Sequence, residues 1–183
     1  MAALLIERGA ELTPLAAAAL GRWDYLASCA PDSLQGKGVL QAAVRGNRPD
    51  VLRRLLERGL EPNERMQLGQ LEDQTFSSGG PLLEAVNTGR IDMARLLLAH
   101  GADPNIATDA GTTPMMVAAG VNWSVAETYD FGNEPLLEAV KLAHSLGNDV
   151  NAVNSMGIAA IHGAANRGAN DVIEYLAANG ARL

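Results

Sequence analysis

One short signal recurs along this chain: a helix end rich in leucine or alanine, closed by glycine. It stands at Leu55-Leu56-Glu57-Arg58-Gly59, Leu97-Leu98-Ala99-His100-Gly101, Ala143-His144-Ser145-Leu146-Gly147 and Leu176-Ala177-Ala178-Asn179-Gly180. Glycine ends a helix well because it enters the left-handed conformation without a Cβ penalty. Three of these glycines open a shared turn: Gly59-Leu60-Glu61-Pro62-Asn63, Gly101-Ala102-Asp103-Pro104-Asn105 and Gly147-Asn148-Asp149-Val150-Asn151. The fourth stops at Gly180-Ala181-Arg182-Leu183, and Gly9-Ala10-Glu11-Leu12 is a degenerate further copy. Ahead of each leucine-rich segment lies a small-residue one, as in Thr13-Pro14-Leu15-Ala16-Ala17-Ala18-Ala19, Val39-Leu40-Gln41-Ala42-Ala43, Pro81-Leu82-Leu83-Glu84-Ala85-Val86, Thr113-Pro114-Met115-Met116-Val117-Ala118-Ala119 and Ala160-Ile161-His162-Gly163-Ala164-Ala165. Alanines let a neighbouring helix come close, and leucines fill the space between layers. Such a helix pair cannot bury its apolar face alone, so the pairs must stack on one another.

The pattern of glycine, Thr-Pro, paired alanines, a glycine turn, paired leucines and Gly-Ala-Asp-x-Asn resembles the ankyrin-repeat family over essentially the full chain. It matches best at Gly111-Thr112-Thr113-Pro114 and from Gly157 to Gly168. The resemblance implies an all-α ankyrin-repeat solenoid of about five helix-turn-helix repeats. Their second helices are expected near Trp23–Cys29, Pro49–Arg58, Ile91–His100, Glu134–Leu146 and Asn170–Ala178. The whole of 1–183 reads as one domain, with a partial second helix in 1–11 and repeats at 12–31, 32–63, 64–105, 106–151 and 152–183. The closing glycines lie 42, 46 and 33 residues apart, against a family period of about 33, so the first two intervals carry insertions. Thr-Pro is lost at Lys37-Gly38 and Ala159-Ala160, and the family's histidine survives only at His162, where the resemblance implies a hydrogen bond between neighbouring repeats. Leu183 arrives without an added polar cap, so either Asp171, Glu174 and Asn179 supply the polar outer face or the array continues.

Charge narrows the partners. The chain carries 21 acids against 14 bases, a net of −7, which disfavours nucleic acid, since phosphate binding needs a basic surface. Residues 1–100 hold 11 bases and 12 acids and residues 101–183 hold 3 and 9, so a basic partner would prefer the C-terminal half. A single thiol, Cys29, excludes an internal disulfide and fits a reducing compartment. The start has no basic n-region, and no apolar run approaches the length of a membrane span, about 18 residues. The expectation is a monomeric, cytoplasmic chain without membrane contact.

No catalytic constellation stands out. His100, His144 and His162 fall in three different repeats with no i, i+4 pair for zinc. His100 and His144 sit in last turns, where a cation suits the helix dipole. Cys29 has no basic neighbour in sequence to activate it. Ser77-Ser78-Gly79-Gly80 is glycine-rich, but no Lys-Ser/Thr follows as a phosphate loop requires. Glu72-Asp73, and Asp149 with Asn151, read as solvated turn residues. No cofactor and no metal are expected.

The insertions differ in place and content. Residues 64–78 extend a finger turn, and residues 121–133, with Trp123, Tyr129 and Phe131, separate two helices of one pair. Four of the seven aromatics, Phe76 included, lie in the two insertions, where they either fold the loop down or anchor a partner. The resemblance also implies a concave binding face. Its variable positions here are Val44, Arg45, Asn87, Thr88, Asn166 and Arg167 at the first-helix ends, with Thr112, Ser155, Met156 and Ile158 on the fingers. The function expected is a non-enzymatic protein–protein interaction module binding a protein partner through that face. The alternative is a recruiting, regulatory or inhibitory segment of a larger enzyme or complex.

Overall fold

The computed structural model describes residues 9, 11–65, 79–121 and 134–182, and among them every regular element is a helix. They come in pairs: α1 (Pro14–Leu20) with α2 (Trp23–Ser28), then, after a short α3 (Pro31–Leu34), α4 (Val39–Arg45) with α5 (Pro49–Glu57). The series continues with α6 (Pro81–Asn87) and α7 (Ile91–Ala99), α8 (Pro114–Ala118) and α9 (Glu134–Ser145), and α10 (Ala160–Arg167) and α11 (Asn170–Ala178). Four of the expected second helices end one residue early and the fifth matches. The turn α3 was not anticipated; Pro31 opens it and buried Leu34 pins it to the core. The helix expected in residues 2–8 lies outside the described residues.

Local chemistry sets the boundaries. Thr13 and Thr113 cap α1 and α8, their hydroxyl oxygens accepting the N–H groups of Ala16 and Met116 at 3.2 and 3.3 Å, and a proline follows each at the first helical position. The turn between α4 and α5 runs through Asn47 at φ 53°, a left-handed residue where the matching turns use Gly89 and Gly168.

Packing follows from the two compositions. In α5 the residues Val51, Leu52, Leu55 and Leu56 are buried while Arg53, Arg54 and Glu57 face outward, the single apolar stripe of a surface helix. The middle first helices α4 and α6 are buried almost all round: Val39 through Val44 and Pro81 through Val86 have hardly any surface. Each packs on its own partner helix and on the first helices before and after it, in the order α1, α4, α6, α8, α10, while α5, α7, α9 and α11 form a second row. Small residues permit the first row. A Cβ on Gly46 would strike the Ala19 backbone, and one on Gly163 would lie 2.5 Å from the Val121 nitrogen. No helix among the described residues is long and apolar enough to cross a membrane.

Turns bind one pair to the next. Asn151 Nδ2 donates to the Gly180 carbonyl at 2.9 Å and its Oδ1 accepts the Arg182 N–H at 2.9 Å. Asn148, standing where the other turns have Leu60, Ala102 and Ala181, is buried and joins the Pro104 carbonyl, Asn105 Oδ1 and the Met115 N–H. Arginines do the same for helix ends. Arg48 donates to the Ala19 carbonyl, Arg90 to that of Arg45, and Arg58 to those of Leu26 and Cys29 at 2.7 and 2.6 Å, each meeting carbonyls at the C-terminal end of an earlier helix.

Candidate protein-binding surface

The expected contact residues sit at the ends of α4, α6 and α10 and on two finger turns. Because the bodies of these helices are locked into the first row, their terminal side chains are held on a stiff support. Arg45, the last residue of α4, is exposed and reaches forward to α6, where its Nε lies 3.0 Å from Glu84 Oε1. Glu84 is buried. Its hydrogen bond raises the pKa of the Arg45 guanidinium, against a smaller opposing effect of burial. Arg90, next in this cluster, has its pKa lowered by burial, with the Glu84 charge acting in the opposite sense, and its Nε is buried without a partner. Thr88 is half-buried and donates to the Glu84 carbonyl at 2.7 Å. Arg45 at the Glu84 carboxylate and Thr88 at the Glu84 carbonyl thus meet at one residue, and Asn87 precedes Thr88 in the chain.

A second group lies farther along the row. Ser155 and Met156 are exposed on the finger before α10, Ile158 is half-buried at its base, Asn166 is exposed and Arg167 half-buried at the end of the helix. This finger is fastened to the one before it. Ser155 N–H donates to the Ala110 carbonyl at 2.8 Å, and Asn154 Nδ2 donates to Thr112 Oγ1 at 3.2 Å. Val153 and Met156 are among the few large apolar side chains left mostly exposed.

Two expected contact residues are corrected. Val44 and Thr112 have no exposed surface: Val44 lies in the core between first helices, and the Thr112 side chain is spent on Asn154. Both are structural, and neither can touch a partner in this conformation. Trp123, Tyr129 and Phe131 lie outside the described residues. His162 is a further correction, since the bond found at its ring is local, Nδ1 accepting the Ala159 N–H at 3.0 Å. Gln41, at the matching place of an earlier repeat, makes the bond to a neighbour instead, donating to the Gly79 carbonyl.

Sequence reasoning passed over two buried carboxylates. Glu84 interrupts the apolar run Leu82 to Val86, and that interruption is the signal that could have found it. Glu64 had no such signal. It is buried, its Oε2 accepts the Gly36 N–H at 2.6 Å and the Gln35 amide at 3.1 Å, and its Oε1 has no partner. Burial pushes its pKa up, with hydrogen bonds from the Gly36 and Leu40 backbone opposing. Among the described residues no three His, Cys, Asp or Glu side chains gather as a metal site would need. Cys29 is half-buried, its thiol directed at the Tyr25 carbonyl at 3.4 Å.

Two comparisons bear on this arrangement. The family model described as Ankyrin repeat matches residues 80–109, the stretch that holds α6, α7 and the turn after them. No curated protein matches the chain.

Proposed function

We propose that this chain, which belongs to the ankyrin-repeat family on the match over residues 80–109, is a non-enzymatic module binding a protein partner across its first-helix ends and finger turns. Ankyrin repeats are generally protein–protein interaction modules. The observation that carries the finer reading is the contrast within α4, α6 and α10. The bodies of α4 and α6 are buried and α10 buries Ala160, Ile161, Gly163 and Ala164, yet Arg45, Asn87 and Asn166 at their ends keep surface that the core does not need. Side chains fixed on a rigid row can meet a partner without paying for the ordering of a loop. The repeats are read as 12–31, 32–63, 64–105, 106–151 and 152–183, acting as one monomeric unit. Exposed Met156 supplies an apolar anchor beside the polar groups, the mixture that protein interfaces favour.

The test is capture from a cell extract by the wild type and by Asn87→Arg with Asn166→Glu, each first shown to melt cooperatively. Loss of the captured protein in the folded double variant supports the surface. Equal capture by both places recognition elsewhere.

A further inference from the structure

A second surface lies on the helices α2, α5 and α7. Three arginines occupy one register, each just before a second helix: Arg22 before α2, Arg48 before α5 and Arg90 before α7. Arg53 and Arg95 share another register, six residues before the closing glycines Gly59 and Gly101, and both are exposed. Arg54 and Arg58 complete the set, their guanidinium groups 5.1 and 5.9 Å from the Trp23 ring centroid. Over residues 21–29, 46–58 and 88–99 the sequence holds seven arginines against four acids, a net of +3 inside a chain of net −7.

Among the described residues these charges form no ion pairs. Arg48, Arg58 and Arg90 donate to carbonyls, which are neutral, and Arg54 lies over an indole ring. None of the seven is in an ion pair within 4 Å among the described residues, whose three pairs are Arg45–Glu84, Arg65–Asp109 and Lys141–Glu138. The patch ends at α7. In α9 the position of Arg53 and Arg95 is Lys141, which Glu138 neutralises at 3.2 Å, and in α11 it is Glu174. Two open grooves run between the turns of this patch, one beside Trp23, Arg48 and Arg54, the other beside Arg90 and Ile91, and they meet at Asn47 and Pro49.

We infer that the outer face of α2, α5 and α7 is a docking surface for an acidic peptide segment of another protein. Guanidinium groups already oriented by carbonyls and by Trp23 present fixed donors that suit carboxylates. The acids Asp24, Asp50 and Asp92 recur in the first turn of each helix, which sets the choice of partner. They repel the dense charge of a nucleic acid backbone, whereas a peptide can place its carboxylates between them. This surface adjoins the first-helix ends at Thr88 and Arg90, and it is tested apart from them at Arg53 and Arg95, which lie outside that cluster.

Fluorescence anisotropy tests it with a labelled peptide of alternating Glu and Ser, its Gln counterpart and a single-stranded RNA oligomer, at low and high salt. The Glu peptide is expected to bind at low salt and weaken as salt rises, the Gln peptide not to bind. Arg53 and Arg95 make no hydrogen bond or ion pair among the described residues, so Arg53→Ser with Arg95→Ser should melt like the wild type. It should bind the Glu peptide more weakly by about two- to fivefold per arginine removed, while Asn166→Glu, on α10 and outside the patch, keeps its affinity. Equal binding of the Glu and Gln peptides, an unchanged affinity in the arginine variant, or tighter binding of the RNA than of the peptide would each overturn the inference.

Discussion

Asn63 holds the turn at Asp103 by its backbone, its Oδ1 accepting the Asp103 N–H at 2.7 Å while its Nδ2 donates to the Gly101 carbonyl at 3.1 Å. One side chain thereby joins two successive turns, as Asn151 joins its own turn to Gly180 and Arg182. Asn63→Ala removes these two bonds and the local one from Nδ2 to Glu61 Oε1, and should cost about 1–3 kcal/mol, read as a lower urea midpoint at unchanged slope. An Asn63→Ala midpoint equal to that of the wild type would mean that these bonds add nothing over water.

Gly163 tests the close approach of first helices. Alanine at a helix interior normally gains about 0.8–1 kcal/mol over glycine. Here the added carbon would meet the Val121 nitrogen at 2.5 Å and the Gly120 carbonyl carbon at 2.9 Å, both backbone, and overpacking of that kind costs about 1–3 kcal/mol. Gly163→Ala should therefore lower the melting temperature, and a rise would show that α8 and α10 can move apart freely.

Arg58 closes the end of α2 from the next pair. Arg58→Met keeps the apolar stem against Trp23 but loses the bonds to Leu26 and Cys29. Hydrogen exchange should then quicken over residues 23–29 ahead of the rest of the chain. Arg58→Lys should rescue only part of this, because an ammonium lacks the two-pronged geometry. Unchanged exchange in Arg58→Met would contradict the capping role.

Glu64 gives a pH dependence with a definite sign. Burial raises its folded-state pKa, so between the ordinary glutamate value, about 4.3, and the raised one the folded state binds more protons than the unfolded. Its contribution to stability is accordingly largest on the acid side and falls as pH rises through that window. The stability difference between wild type and Glu64→Gln, from urea melts across mildly acidic pH, should shift against the wild type with rising pH. A shift in its favour would mean that the bonds to Gly36 and Gln35 outweigh desolvation.

The helices were legible because their signals are local. Gly59 and Gly101 close helices whose leucines recur on one face, Pro49 opens the first of these, and Pro81 opens the helix before the second. What joins the pairs was not legible, because it acts across some thirty to forty residues. Nothing near Arg58 announces Cys29, and nothing near Asn63 announces Gly101. The candidate surface was read in part. Arg45 and Asn166 are exposed at helix ends, but family register could not say that Val44 lies between first helices or that Thr112 is consumed by Asn154. In both cases burial depends on the neighbouring pair rather than on the residue's own helix.

The most direct test of the binding surface is hydrogen exchange with mass spectrometry on the chain alone and with its captured partner. Recognition through the first-helix ends predicts new protection around residues 87–90, 153–158 and 165–168. Protection confined to α5 and α7, or none in those three segments, would contradict it.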